Sequence, residues 1–590
     1  MRIRLVLFCA LAVCVGLVAA GCGGGSAGNK VPSGLAGVCS KPLPLPASYK
    51  PSGKIIADNG FNPSVDGFGV ENYGNCGQTN LTAQSMSDLF GASQVCLSGS
   101  GASCQLDPSA SKWMETTNEQ MNGGHCMGFS VAALRFYSGN LSPSNYGADQ
   151  TFKLDVHRNK ALQSLIAAGW VYQFLPAVTN KELVGTPNQI LNSLIAALKA
   201  GKPGSNRSAA YSNRSAAYPS SANLYTIKIF NNEGGHAVTP ISVEDKGNGQ
   251  YAVLIYDNNY PGITRAIQFD TKKNTWQYNA ATKPGVAEAL YTGDADHIYN
   301  MRLDPTGPGE TTPQPFNFTS APNVGSAGAT GSSATLYNQI SLIGDPGNHA
   351  HLVIRDKKGR TTGFVNGQIV NQIPGVHVQQ IASIANWAQT PEPNYLIPNN
   401  IGNVTVFIDG SDLKKPDKEK LTLIGQGFYT EVSDLNLTPG QRDGVYFTGD
   451  GKGFVYRTAP GHDQSPTVAS AIAQDKTAYA FAAKAIGVKG GSQLTMYIDP
   501  NLNAFVLDTT GTAKVKGQNG LAAYVISAVR ESPNGSTTWV SKNKPIFLKS
   551  KWQAIIDYGH LPAATKNVPV YTGPSPLKIE QSKVQYLQPQ

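Results

Sequence analysis

Residues 120–137 read QMNGGHCMGFSVAALRFY, and this stretch constrains the fold more than any other. The paired glycines Gly123 and Gly124 permit a tight turn, and a mostly apolar run of helical character begins at Cys126. The first turn of a helix offers unpaired N–H groups and the positive end of the helix dipole, which together favour a thiolate. Cys126 therefore lies where a nucleophile would be placed. The alternative is that it is a small core residue or a disulfide partner.

His236, in the stretch GGHAV, lies between two predicted strands at Tyr225–Phe230 and Tyr251–Tyr256. The second strand runs into a polar turn that begins with Asp257 and Asn258. If the two strands pair, the imidazole lies beside one of these side chains. An acceptor beside an imidazole fixes its tautomer and orientation, as the base of a nucleophilic triad requires. A lone histidine is more often structural, so this pattern alone does not decide the function.

Together these motifs resemble those of the papain-like cysteine peptidases. In that family a Gln precedes the nucleophilic Cys with five residues between them, a helix with Phe-Ser follows, and His-Ala-Val and an Asn come later in the chain. The matching positions here are Gln120, Cys126, Phe129-Ser130, His236-Ala237-Val238 and Asp257 or Asn258, which precede Tyr260-Pro261-Gly262. The resemblance covers roughly residues 60–300. Met127-Gly128 replace the aromatic-Ala pair of the family, which leaves the subfamily open.

The resemblance implies roles for these residues. Cys126 would be the nucleophile, His236 the general base and then acid, and Asp257 the orienting group, with Asn258 as its rival. Gln120 and the Cys126 backbone N–H would form the oxyanion hole. The implied activity is hydrolysis of amide bonds in a peptide or protein substrate, without a cofactor or metal ion.

The first 22 residues form a predicted signal peptide. Arg2 and Arg4 precede an apolar run over 5–18, and Ala19-Ala20-Gly21-Cys22 resembles the lipobox of bacterial lipoproteins. That resemblance implies lipidation of Cys22 and an extracytoplasmic chain anchored to a bacterial membrane. An ordinary secretory signal is the alternative. Residues 23–59 are then a tether and N-terminal extension.

The other cysteines fit an exported protein. Cys9 and Cys14 lie in the predicted signal, and assigning Cys22 to the lipid leaves Cys39, Cys76, Cys96, Cys104 and Cys126, which is an odd number. Cys96 and Cys104 bracket a Ser/Gly-rich loop and are expected to form a disulfide, with Cys39 and Cys76 as a plausible second pair. Four cysteines allow three pairings, so this partition stays open. The remaining thiol falls on Cys126.

The second half of the chain differs in character. Residues 304–335 are rich in Pro, Gly, Ser and Thr and are predicted to be a linker between a domain at 60–303 and a β-rich region at 336–590. Short apolar runs bounded by turn residues recur at 352–354, 404–408, 445–448, 494–498 and 504–507. They predict antiparallel β-sandwich material, possibly two modules that meet near 458–490. His349 and His351 are too few for a metal site and are interpreted as surface residues.

The predicted fold is thus an α+β papain-like domain, with a helical part and an antiparallel sheet, followed by all-β sandwich-like material. Charged residues make up 14% of the 590-residue chain and hydrophobic ones 41%, which excludes a disordered protein. The net charge of +9 includes no dense basic stripe, so nucleic acid is not an expected partner. The predicted function is a membrane-tethered cysteine peptidase. The alternative is a non-catalytic surface lipoprotein, an adhesin or binding scaffold that keeps the fold.

Overall fold

The structure is a computed structural model, and it describes residues 45–200, 220–231, 234–281, 288–319, 336–345, 348–382, 392–499, 501–509, 521–541, 545–549, 551–562, 566–574 and 584–590. The predicted signal peptide at 1–22, with Cys22, and most of the tether, with Cys39, lie outside these residues. Within the described ranges, no helix has both the length and the apolar character needed to cross a membrane.

Among the described residues, the α-helices lie in the first half of the chain. Side chains cap several of their N-termini: Asp107 accepts a hydrogen bond from the Ala110 N–H at the start of the third helix, and Asn159 accepts one from the Leu162 N–H at the start of the fifth. The helices are α1 (Ala83–Phe90), α2 (Ala92–Val95), α3 (Pro108–Gln120), α4 (Cys126–Tyr137), α5 (Lys160–Trp170), α6 (Pro176–Thr179) and α7 (Pro187–Ala200).

An antiparallel sheet of nine strands packs against these helices, in the order β10-β9-β8-β7-β6-β5-β11-β4 with β1 also paired to β6. A two-stranded sheet of β2 and β3 stands apart from it. The strands of this half are β1 (Lys54–Asp58), β2 (Cys96–Ser98), β3 (Gln105–Leu106), β4 (Leu183–Val184), β5 (Tyr225–Asn231), β6 (Gly234–Gly247), β7 (Gln250–Tyr256), β8 (Arg265–Asp270), β9 (Thr275–Ala281), β10 (Glu288–Gly293) and β11 (Met301–Pro305).

One predicted pairing is wrong. The strands at 225–230 and 251–256 form as β5 and β7, but they do not pair with each other, because β6 lies between them. His236 is a residue of β6 and faces Ile229 across the ladder. The sequence hides β6 because eleven consecutive buried residues at its start remove the alternation that marks a strand with one solvent face.

The second half contains strands and no α-helix among its described residues. The predicted runs all form strands. The strands are β12 (Tyr337–Ile343), β13 (His351–Asp356), β14 (Thr361–Val365), β15 (Gln368–Asn371), β16 (His377–Gln379), β17 (Asn394–Pro398), β18 (Val404–Asp409), β19 (Asp417–Gly425), β20 (Phe428–Leu437), β21 (Arg442–Phe447), β22 (Gly453–Arg457), β23 (Thr467–Gln474), β24 (Thr477–Ala485), β25 (Gln493–Asp499), β26 (Ala504–Asp508), β27 (Leu521–Ser532), β28 (Gly535–Val540), β29 (Ile546–Lys549), β30 (Gln553–Asp557), β31 (Val568–Gly573) and β32 (Gln585–Pro589).

These strands form two long antiparallel ladders. One runs β16-β17-β12-β19-β20-β23-β24-β27, and the other runs β15-β14-β13-β18-β21-β22-β25-β26-β30-β31. Side chains of both ladders share one apolar core, as where the rings of Phe481 and Phe505 meet. Pairing continues through 458–490, since β22 bonds to β25 and β20 to β23. The ladders are also joined at one end through β28 and β32, so they form one nearly closed antiparallel sheet with no break at 458–490, called the sandwich below.

The predicted boundaries also shift. β1 lies within the predicted extension at 23–59, yet it pairs with β6 in the main sheet. β11 reaches Pro305, and Phe316 and Phe318, in the predicted linker, are buried against the helical half. The described part of that linker is packed because the free energy gained by burying its aromatic residues exceeds the entropy cost of ordering its Pro and Gly residues.

The two halves are joined by buried contacts. Lys112 of α3 is an ion-pair partner of Glu431 on β20, with 3.0 Å between Nζ and Oε2, and both side chains are largely buried. Lys420 of β19 contacts Glu119 at 2.6 Å. A single apolar cluster contains Phe316 from the chain that joins the halves and Tyr429 from the sandwich. The two halves therefore pack as one continuous structure at this junction.

Phe316 tests this junction. Its ring lies 5.0 Å from that of Phe90 and 5.9 Å from that of Trp113, and only 5% of the residue is exposed. Phe316→Ala is expected to lower the free energy of unfolding by about 3–5 kcal/mol, as other buried Phe truncations do. Denaturant unfolding followed by tryptophan fluorescence measures this, with Tyr586→Ala, at 55% exposure, as the aromatic control. Equal effects of the two substitutions would contradict the proposed packing.

Candidate active site

Cys126 is the first residue of α4, and its thiol is free and fully buried. The side chain of His125, the residue before the helix, does not cap the first N–H groups, which have no partner within the helix. Gly128 stands where the papain-like pattern has alanine, and the close packing of α4 against α5 accounts for this difference. A Cβ at this position would lie 2.0 Å from the Ile166 carbonyl oxygen, so α4 and α5 approach too closely for alanine.

His236 and Asp257 form a buried pair at the edges of β6 and β7. Nε2 of His236 lies 2.8 Å from Oδ1 of Asp257, and neither residue is exposed to solvent. The carboxylate accepts two further hydrogen bonds, from the Tyr278 hydroxyl at 2.6 Å and from the Asn259 N–H at 2.9 Å. Of the two acceptors that the sequence allows, the structure places Asp257 on the imidazole.

Asn258 connects two backbone segments of the site. Its Nδ2 donates to the backbone carbonyl of Cys126 at 3.1 Å and to that of Ala237 at 2.8 Å. One amide thus joins the start of α4 to the residue that follows His236. Asn258 therefore fixes the thiol and the imidazole relative to each other through their backbones, and does not orient the imidazole directly.

The pair is charged. Burial opposes a charge on His236, but the Asp257 carboxylate, with a smaller contribution from Cys126, raises the pKa of His236 to about 10. Burial likewise raises the pKa of Asp257, yet the imidazolium and the hydrogen bonds to the carboxylate outweigh it, and that pKa is lowered. An imidazolium and a carboxylate stabilise each other here without contact with water.

The neighbouring His125 has no such partner. Its Nδ1 lies 2.7 Å from the Tyr73 carbonyl oxygen and its Nε2 lies 3.0 Å from Oδ1 of Asn80. Burial lowers its pKa to about 4, although the Tyr73 carbonyl opposes this effect. His125 is therefore a neutral structural residue, and of the two histidines only His236 is paired with a carboxylate.

A segment of the sandwich covers the pair. We call Gln379–Ala382 the covering segment. The thiol of Cys126 donates to the Ala382 carbonyl oxygen at 3.4 Å, and the Ala382 N–H donates to Oε1 of Gln173 at 2.8 Å. Gly235 lies beneath it, since a Cβ at that position would be 2.9 Å from the Ile381 carbonyl oxygen. The thiol of Cys126 is directed at Ala382, and Cys126 also lies close enough to His236 to contribute to the raised pKa of the imidazole.

Gln120 is also engaged by the sandwich. Its Nε2 donates to Oδ1 of Asn394 at 2.6 Å, and the same oxygen accepts a hydrogen bond from Ser341. The predicted oxyanion-binding amide thus points toward Asn394 in this conformation, so it would have to turn before it could bind an oxyanion. The other predicted residues, Cys126, His236, Asp257 and Asn258, come together around the start of α4.

Among the remaining predicted residues, the structure joins Cys96 to Cys104, the pairing expected from the sequence. Cys76 is disulfide-bonded as well. One interpretation is wrong: His349 and His351 are not on the surface, since they are 7% and 2% exposed. Hydrophobic flanking residues draw this short segment into the core of the sandwich.

Sequence reasoning did not identify several residues that are far from the motifs in sequence but lie at the site in the folded chain. Tyr278, Ala382 and Asn394 contact the predicted residues Asp257, Cys126 and Gln120, and Gln173 holds Ala382 in place, but none of the four belongs to a recognisable motif. Tyr278 lies on a strand of alternating polar and aromatic residues, which gives no sign of its partner. Only the folded chain identifies these residues.

No protein-family model, curated protein or solved structure matches this chain. The functional argument therefore depends on the geometry of the site.

The ion pair predicts how stability depends on pH. The pKa of His236 rises from 6.5, its ordinary value, to about 10 in the folded protein. Its contribution to the free energy of unfolding is complete below pH 6.5 and is lost as the pH rises to 10, by about 1.4 kcal/mol per pH unit. The difference in unfolding free energy between the wild type and His236→Gln should therefore narrow over this range. A difference independent of pH would contradict the charged pair.

Proposed function

We propose that this chain is a cysteine hydrolase that cleaves amide bonds of peptide or protein substrates through Cys126, His236 and Asp257. The observation that supports this most directly is the fully buried His236–Asp257 pair beside a free thiol at the start of a helix. Buried ion pairs seldom add stability over well-packed apolar residues. A chain that keeps one next to its only free described cysteine has a chemical use for it.

The reaction follows from the roles of these groups. Cys126 reacts as a thiolate, whose proton has passed to solvent and whose charge is stabilised by the protonated His236. Its sulfur forms a bond to the substrate carbonyl carbon as the C=O π electrons move to the oxygen. The oxyanion is held by N–H groups at the start of α4, each contributing about 3 kcal/mol to the transition state, and by Gln120 once its amide turns from Asn394. His236 then protonates the leaving amine, and water hydrolyses the thioester to release the acid and the thiol.

Asp257 keeps the imidazole in position throughout this cycle. Its three hydrogen bonds, from His236, Tyr278 and Asn259, hold the carboxylate in a single orientation. Asn258 holds the start of α4 against β6 while charge moves between thiol and imidazole. A preorganised arrangement of this kind needs little rearrangement when the reaction begins.

The proposed enzyme is latent in this conformation. Cys126 and His236 are both fully buried, and the thiol donates its hydrogen bond to Ala382. Substrate can reach the sulfur only when the covering segment leaves. Release would free the thiol to face Nδ1 of His236 and would open the face of β6 at Gly235.

We further propose that the chain acts outside the cytoplasm, anchored to a bacterial membrane through lipid on Cys22. The Cys96–Cys104 disulfide supports an oxidising compartment. The second candidate function is a non-catalytic surface lipoprotein, a binding scaffold. The observation that favours it is the complete burial of the thiol under the sandwich.

Thiol chemistry separates these two functions. We expect the wild type to cleave members of a peptide library and Cys126→Ala to lose turnover entirely while it keeps the wild-type circular dichroism spectrum. The sulfur is the group that bonds to substrate, so no neighbour can replace it. The control is His560→Gln, which removes an exposed His–Asp pair far along the chain and should retain activity. Turnover that survives in Cys126→Ala would refute the proposed enzyme.

Latency has its own test. Ile381 is 3% exposed within the cluster that contains Cys126, so Ile381→Asp should expel the covering segment. We expect the rate of Cys126 labelling by iodoacetamide to rise at least tenfold, measured by mass spectrometry of the labelled peptide. Ile369→Asp, on the partly exposed β15, is the matched control and should label at the wild-type rate. Equal labelling of all three proteins would show that the segment does not limit access.

A further inference from the structure

A second cluster of buried side chains lies in the sandwich, away from the proposed catalytic residues in sequence. His349 and His351 bracket the start of β13, and Glu392 precedes β17. One ligand atom from each of these three lies within 4.8 Å of the other two, and all three residues are buried. We propose that a divalent transition metal ion of the zinc type binds at this cluster, with His349, His351 and the neighbouring Asp412 as ligands and Glu392 as the support behind His351.

The two imidazoles present the atoms that such an ion requires. Nδ1 of His349 lies 2.9 Å from the Ala350 carbonyl oxygen, and Nδ1 of His351 lies 3.0 Å from Oε2 of Glu392. Each Nδ1 therefore carries the proton and donates it, which leaves the lone pair on Nε2. Neutral imidazole with a lone pair on one nitrogen and an anchored N–H on the other is the usual zinc-binding form of histidine.

Glu392 has the properties of a supporting residue. Besides the His351 ring, its carboxylate accepts hydrogen bonds from the Leu352 N–H at 3.1 Å and from the Tyr395 hydroxyl at 3.0 Å. It is thus held from three sides and fixes the orientation of the His351 ring, which also stacks on Phe364 with 3.9 Å between centroids. A carboxylate behind a histidine ligand raises the basicity of that ligand.

Asp412 supplies the third ligand. Its Oδ2 lies 3.6 Å from Nε2 of His351. Two ligands on one tetrahedral zinc ion, each about 2.0–2.1 Å from it, are separated by about 3.4 Å, so this spacing suits an ion between them. The strand pairing explains why His351 and Asp412 are close. His351 of β13 pairs with Asp409 of β18, and Asp412 follows Asp409 by three residues.

The surroundings are suited to a cation that arrives from solvent. Asp412 is 37% exposed on its side chain, whereas His351 is 2% exposed, so the cluster opens at one side only. A second buried carboxylate, that of Glu419, accepts from the Ala350 N–H between the two histidines. With two imidazoles and one carboxylate, the ion would keep a position for water.

The test measures metal binding directly. It uses the full chain with Cys126→Ser, because that substitution removes the thiol as a competing ligand. After chelator treatment and dialysis, zinc titrated against a chromophoric chelator is expected to bind at one equivalent per chain and to raise the melting temperature. His349→Gln and His351→Gln in the same background should each weaken binding at least tenfold.

Two exposed histidines provide the matched controls. His297 and His560 each contact an aspartate three residues earlier, so His297→Gln and His560→Gln also remove a His–Asp pair but should leave zinc affinity unchanged. If the buried variants fail to fold, Asp412→Asn tests the proposal instead, because the Asp412 side chain is partly exposed. It should also weaken zinc binding at least tenfold. Absence of saturable binding, or affinity unchanged in the folded variants of the cluster, would overturn the proposal.

Discussion

The buried contact between His236 and Asp257 is the constraint on which the rest of the site depends. Two opposite charges without solvent cost several kcal/mol each to desolvate, and they persist only where geometry and additional hydrogen bonds compensate. Tyr278 and Asn259 provide these hydrogen bonds, and β6 and β7 hold the two side chains in register. The strands must therefore be fully covered at this point. The long buried half of β6, the glycine at 235 and the amide of Asn258 all serve that requirement.

Much of this arrangement could be predicted from sequence, because the groups that carry it lie in short motifs. The helix that begins at Cys126, the imidazole at 236 and the carboxylate at 257 each follow a local signal of glycine, apolar run or turn. The preference for Asp257 over Asn258 depended on the resemblance alone, since both residues lie in the turn that follows β7 and the fold of that turn decides which side chain meets the imidazole. The pairing of β5 with β7 was predicted wrongly for a related reason: a strand buried on both faces shows no alternation.

The contacts between the two halves of the chain lay beyond sequence reasoning altogether. Cys126 and Ala382 are separated by 256 residues, and their contact uses a backbone carbonyl, which leaves no mark in composition. The same holds for Gln120 and Asn394, whose amides meet across 274 residues. His349 and His351 illustrate the opposite error. Spacing alone placed them on a strand face, but only the packing of the two ladders shows that this face is the interior.

The covering segment also bears on how an enzyme of this shape could be switched. Burial of Ile381 contributes about 1.5–3 kcal/mol, and the hydrogen bonds of Ala382 to Cys126 and Gln173 contribute about 1 kcal/mol each. A contact of this strength, about 3.5–5 kcal/mol in total, leaves on the order of 0.02–0.3% of molecules open at equilibrium. The sandwich as a whole is held far more firmly, through the Lys112–Glu431 pair and the aromatic cluster at Phe316. Access to the thiol therefore requires only local release of the segment, and a ligand or a cleavage that disfavours the covered state by a few kcal/mol would suffice to expose the site while the two halves stay joined.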